Sequence, residues 1–247
     1  MSDKLYTLNE ILFDYLKLEN NNYQPYTFAD LKRKEDSNIL TLKEQFQSTD
    51  QRRVRRQWYN LLQDIFMVNF EPLFSCTSKI KYSAKEKQSI IDLLTIYYDD
   101  NACYPFKLQD IIKERNHLLK NTSNSNSFID LDEAFLKEHL EHKAPYVKTK
   151  NGYSPETDIP TIMEYTDFYQ KLESSVYCIA NIIYERLEYV VISCEDKKLK
   201  QYVKLFQNML PIIKKFLYTT CQNICDISDH LFYPQVDFGS WDIKNPI

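Results

Sequence analysis

The chain has 247 residues, of which 43% are hydrophobic and 14% aromatic, and its formal charge is −4. That composition can bury a sizeable core and excludes a disordered chain, while the negative balance gives no general electrostatic grip on nucleic acid. Only two glycines occur, Gly152 and Gly239, so neither a Walker A loop nor a dinucleotide-binding fingerprint can be written, and helices joined by polar turns are favoured over hairpins.

In chain order, Thr7-Leu8-Asn9-Glu10 reads as a capping box that opens a helix running to about Glu19, with Leu8, Ile11, Leu12, Tyr15 and Leu16 on its face. A loop follows from Asn20 to Pro25. Short helices are expected from Thr27-Phe28-Ala29-Asp30 and from Ile39 to Phe46. Asp50 is the expected N-cap of a strong helix from Gln51 to about Phe70, ended by Pro72, with Val54, Trp58, Leu61, Leu62, Ile65 and Phe66 as its buried stripe. Ser83-Ala84-Lys85-Glu86 is a second capping box, followed by Ile90, Ile91, Leu94 and Tyr97. Pro105 opens a further helix that stops near Asn121, before the polar run from Thr122 to Ser127.

Leu131, Phe135, Leu136 and Leu140 predict a shorter amphipathic helix after Asp130. Lys143 to Asp158 reads as a long loop marked by Pro145, Gly152 and Pro155. The longest apolar pattern follows Pro160. Ile162, Tyr165, Tyr169, Leu172, Val176, Ile179, Ile183, Leu187, Val190 and Cys194 recur every three or four residues, one face of a helix close to the coiled-coil period. Glu195-Asp196-Lys197 is the expected turn into a return helix carrying Leu199, Tyr202, Val203, Phe206 and Leu210. Pro211 is expected to kink that helix or to start a new segment, after which Ile212, Ile213, Phe216, Leu217, Thr220, Ile224 and Ile227 carry the face on. Tyr233 to Ile247 reads as an extended tail.

Six cysteines, Cys76, Cys103, Cys178, Cys194, Cys221 and Cys225, form no CxxC. Met1–Lys17 is amphipathic and acidic rather than secretory, and no uncharged apolar run approaches the roughly 18 residues that span a bilayer. These features predict a reducing, cytoplasmic setting with free thiols and no membrane. The richness in Lys, Asn, Ile and Tyr points to an AT-rich genome of a bacterium or phage.

Four places bear on chemistry. Arg52, Arg53, Arg55 and Arg56 flank Val54 and precede Trp58 and Tyr59. Arginines beside aromatics grip phosphates and stack on bases, although a charge run on a helix is also an ordinary solvated face. His139 and His142, three apart on a helix, share a face but lack further ligands of metal-site spacing. Cys221 and Cys225 share a face in the same way, and they too lack a second pair. Neither pair predicts a metal, and no cofactor is expected. No local motif supports a protease or a glycosidase.

The fourth place is Leu108 to Asn121, with Arg115-Asn116 near a helix end and a polar loop beyond. This arrangement resembles the signature of the HEPN family of all-helical, RNA-associated proteins, an Arg often followed by Asn with a His four to six residues past the Arg. The resemblance implies metal-independent RNA cleavage across a dimer, the His activating the ribose 2′-OH and the Arg steadying the phosphate. Here the three His positions hold Leu119, Lys120 and Asn121. The nearest imidazole, His117, lies about 200° around the helix from Arg115. The candidates for a modified site are therefore Arg115, Asn116, His117 and Lys120.

The expected fold is an all-α bundle of antiparallel helices with a long C-terminal helical hairpin. It is read as a single all-helical domain over residues 1–247, with residues 1–50 as an N-terminal helical subdomain and residues 233–247 as a tail. The expected function is a non-catalytic binding protein for a protein or RNA partner, in bacterial or phage defence or counter-defence. The long helices also allow a homodimer. The alternative is a HEPN-like ribonuclease with a modified site.

Overall fold

Helix-period patterning and caps shape the chain throughout. The computed structural model describes residues 4–19, 28–39, 41–75, 81–98, 107–121, 131–140, 155–193 and 200–232. These form α1 (Leu8–Glu19), α2 (Phe28–Asp36), α3 (Leu42–Phe66), α4 (Glu71–Ser75), α5 (Ala84–Tyr98), α6 (Leu108–Asn121), α7 (Glu133–His139), α8 (Pro155–Ile192) and α9 (Lys200–Phe232). The result is an all-α bundle with a long C-terminal helical hairpin, α8 and α9. Among the described residues extended pairing is confined to one antiparallel bridge between Tyr6 and Tyr82.

The residues divide into two compact units: Met1–Ala102 with Lys171–Tyr218, and Cys103–Gln170 with Thr219–Ile247. In the first, α1 packs on α2, α3 and α5. Both predicted capping boxes form there. Glu10 Oε2 accepts from the Thr7 backbone N–H at 2.7 Å and Glu86 Oε2 from that of Ser83 at 2.6 Å, so each helix start satisfies donors that would otherwise be orphaned. The predicted stripe of α3 is the centre of the core, with Val54, Trp58, Leu61, Leu62, Ile65 and Phe66 all fully buried. Trp58 meets Phe74 of α4 edge-on at 6.2 Å, and Lys87 of α5 pairs with Asp14 of α1 at 2.6 Å.

Within this unit α8 and α9 run antiparallel. Tyr218 Oη donates to Asn181 Oδ1, the rings of Tyr177 and Tyr218 lie 5.7 Å apart, and Lys214 Nζ sits 5.1 Å from the Tyr184 ring. The second unit buries Leu108, Ile111, Ile112 and Leu118 of α6 together with Tyr165, Phe168, Cys221, Ile224, Cys225 and Ile227 of the hairpin. Asn223 Oδ1 accepts the Leu131 N–H at 3.1 Å, and Tyr165 Oη donates to Asp229 at 2.9 Å.

Several helix ends differ from the sequence expectation. α3 begins at Leu42, absorbing the short helix expected over 39–46, so Asp50 is interior and caps nothing. The true cap is Thr41, in a third capping box with Glu44. α3 ends at Phe66, where Met67 takes a left-handed φ of 56°, and Pro72 lies inside α4 instead of ending α3. α7 follows Asp130 as expected, and its N-cap is Asp132. α8 starts at Pro155, so Pro160 is within it and residues 155–158 are not loop. Pro211 neither ends nor restarts α9; it lies exposed within one helix, where a missing N–H faces solvent. The expectations for residues 20–25, Pro105, residues 122–127, the turn at 195–197 and the tail at 233–247 fall outside the described residues.

Candidate functional site

On α8 the buried line runs Val176, Ile179, Ile182 and Ile183, and the next position on the same face is Arg186. Three and four residues past the two isoleucines, its side chain is carried into the core by helix geometry and is only 8% exposed. The guanidinium lies 4.6 Å from the Tyr82 ring centre and 5.3 Å from that of Phe74, both within cation–π reach. Tyr82 is pinned by paired backbone hydrogen bonds to Tyr6 at 2.7 and 2.8 Å, so this aromatic platform is fixed. Nε and Nη1 of Arg186 are buried and find no acceptor among the described residues. A buried donor left so costs about 1–3 kcal/mol. Burial pulls the Arg186 pKa below the ordinary arginine value, with Tyr82, Glu86 and Glu185 pulling the other way.

Beside this side chain opens a cavity of about 260 Å³, well above the roughly 15 Å³ that admits one water. Ile182, Tyr189 and Val190 form its apolar wall, and Lys81, Glu86 and Glu185 its charged rim.

The same end of the hairpin leaves apolar surface open. The contacts of Tyr184 with Lys214 and of Asn181 with Tyr218 set the register. Carried along by equal steps, it brings Tyr189 level with Met209 and Ile192 level with Phe206. Tyr189, Val190 and Ile192 of α8, and Leu205, Phe206, Met209 and Ile212 of α9, are between 39% and 70% exposed. Leu205, Met209 and Ile212 fall at i, i+4 and i+7, one stripe of the helix. From Lys200 to Cys225 the chain has four lysines and no acidic residue, and Lys204, Lys214 and Lys215 are exposed around the stripe.

The residues singled out in the sequence lie elsewhere. Three of the four arginines tie α3 to its neighbours. Arg52 donates to Glu35 at 2.8 Å, Arg53 to Glu19 at 2.9 Å, and Arg55 to Asn9 at 2.5 Å. Arg56 is exposed. Arg115 is 1% exposed in the second unit. Its Nε and Nη2 donate to Asn116 Oδ1 at 3.3 and 3.1 Å. His117 and Lys120 are exposed on other sides of α6, so the structure does not bring the four together.

His139 stacks on Phe135 with ring centres 4.1 Å apart, and His142 lies outside the described residues. Cys221 and Cys225 are buried. Burial pushes the Cys221 thiol well above its ordinary range, with Arg115 pulling it down. Among the described residues no three His, Cys, Asp or Glu side chains are grouped to hold a metal, and no helix is long and apolar enough to cross a membrane.

Sequence reasoning missed Arg186, although its spacing from Ile179, Ile182 and Ile183 marks the buried face. No protein-family profile, curated protein or solved structure matches the chain.

Proposed function

We propose that the chain is a non-catalytic helical binding protein whose target is another protein, docked on the apolar face that α8 and α9 leave open in the first unit. The observation that carries this is the stripe of Leu205, Met209 and Ile212, exposed beside Tyr189, Val190 and Ile192. A contiguous apolar patch of this kind marks an interaction surface, and an i, i+4, i+7 stripe suits an amphipathic helix laid against it. The acid-free run from Lys200 to Cys225 selects a partner helix with acidic flanks. RNA is the weaker reading because Arg52, Arg53 and Arg55 already hold Glu35, Glu19 and Asn9. The HEPN-like reading is weaker too, since it needs Arg115 to reach a phosphate. The free thiols and the Lys-, Asn- and Ile-rich composition support a cytoplasmic, bacterial or phage setting.

The test is a fluorescence-anisotropy titration of the full chain with four probes: a synthetic Leu-striped helix flanked by Glu, its Lys-flanked twin, a single-stranded RNA, and vesicles of anionic lipid. The Glu-flanked helix should bind, its twin should bind at least about tenfold more weakly, and Leu205→Glu with Ile212→Glu should abolish binding while circular dichroism is unchanged. Binding of RNA or vesicles, with none of the Glu-flanked helix, overturns the reading. A dimer that the same double variant dissolves also overturns it, and makes the face a contact between two copies.

A further inference from the structure

We propose that the cavity beside Arg186 receives a carboxylate attached to an apolar body. A guanidinium only donates, so whatever completes Arg186 must present acceptors. Its guanidinium carbon lies within cation–π reach of the Tyr82 and Phe74 rings, and its Nε and Nη1 donors are unmet. Nε and Nη1 lie on different edges of the guanidinium, each edge shared with Nη2, so a carboxylate laid along either edge meets one of the two unmet donors. The wall of Ile182, Tyr189 and Val190 suits an apolar group next to that carboxylate.

The rim narrows the class further. Lys81 and Arg186 are balanced by Glu86 and Glu185, so the lining has no formal charge and exerts no long-range pull on anions. Glu86 already accepts from the Ser83 N–H at 2.6 Å, which leaves it committed to capping α5. Recognition is then short-range and weakly dependent on salt, and a multiply charged phosphate without an apolar body is disfavoured by the two glutamates.

The carboxylate has two possible sources, a small organic acid or an Asp or Glu side chain of the docked helix. Only the second source rests on the docking reading above.

The experiment titrates the full chain with benzoate, benzyl alcohol and inorganic phosphate, by calorimetry and by the Arg186 Nε–H resonance in ¹⁵N spectra. Benzoate should bind and shift that resonance, with little effect of added salt. Arg186→Met should weaken it at least about tenfold, and Arg186→Lys, which keeps the charge but loses the fork, should fall between. Benzyl alcohol or phosphate binding as tightly as benzoate overturns the proposal, and so does undiminished benzoate binding by Arg186→Met. The Glu-flanked helix separates the sources. If Arg186→Met weakens the helix as it weakens benzoate, the partner supplies the carboxylate. If only benzoate depends on Arg186, the ligand is a small acid. If benzoate binds and the helix does not, the docking reading falls and the carboxylate site stands.

Discussion

Among the described residues two arginines are buried, one in each unit. Arg115 donates to Asn116 from both Nε and Nη2 and sits beside the Cys221 thiol. Arg186 lies within cation–π reach of two rings and leaves Nε and Nη1 unmet beside a cavity. A buried cation whose donors are met contributes to holding its surroundings together, and removing it leaves its partners stranded. One whose donors are unmet is a standing cost that folding alone does not explain. The difference separates a structural arginine from one available to a ligand, although both read in the sequence as charges on a helix.

The largest expected effect is at Arg115. Arg115→Met should destabilise the protein by about 3 kcal/mol in urea unfolding, the usual result of breaking a buried polar set. An equal loss from Arg186→Met would erase the distinction between the two. Next is Asn223→Leu in the same unit, which strands the Leu131 N–H and should cost about 2 kcal/mol. A neutral result would mean that the second unit does not depend on its buried polar contacts.

Glu44 sharpens the comparison within the first unit, since its buried carboxylate is met on all sides. The Lys34 ammonium and the Thr41 backbone N–H hold its pKa down to about 2, from an ordinary 4.5. Its contribution is therefore complete above pH 4.5 and is lost as the pH falls toward 2. Acid titration should loosen α3 against α2 in that window, and Glu44→Gln should flatten the pH dependence there while lowering stability at neutral pH. The smallest effect is expected at Arg186, where Arg186→Met should change stability by no more than about 1 kcal/mol, because the lost ring contacts are offset by relief of two unmet donors.

Much of the architecture was legible because it is written in local signals. Thr7 with Glu10 and Ser83 with Glu86 announce helix starts that need no tertiary help. Thr41 with Glu44 is the same signal, but the apolar stripe of α3 begins only at Val54, which makes Asp50 the nearer cap on spacing alone. Residues 45–53 stay helical through ties that sequence spacing does not reveal, Arg52 to Glu35 and Arg53 to Glu19. The end of α3 was illegible for a related reason, since Met67 takes a left-handed turn that usually calls for Gly or Asn. At the candidate site, the apolar residues of α8 and α9 were visible, but period alone assigns them to a core. Val190 falls on the apolar face that the spacing defines and is 48% exposed. Which apolar face remains open depends on what the rest of the chain covers, and that is a tertiary fact.

Pro211 bears on how α9 comes apart. It cannot donate to the Gln207 carbonyl, so the hydrogen-bond ladder is interrupted there. Between Val203 and Phe216 only Leu210 is buried, whereas from Leu217 to Ser228 most positions are. A helix divided in this way opens in stages, its first half at small free-energy cost and its second only with its unit. The first half carries Leu205 and Met209 of the exposed apolar stripe, and Ile212 follows just past the break. A partner docked there as proposed would hold closed the part of α9 that opens most readily, and the cost of that closing would be subtracted from its affinity.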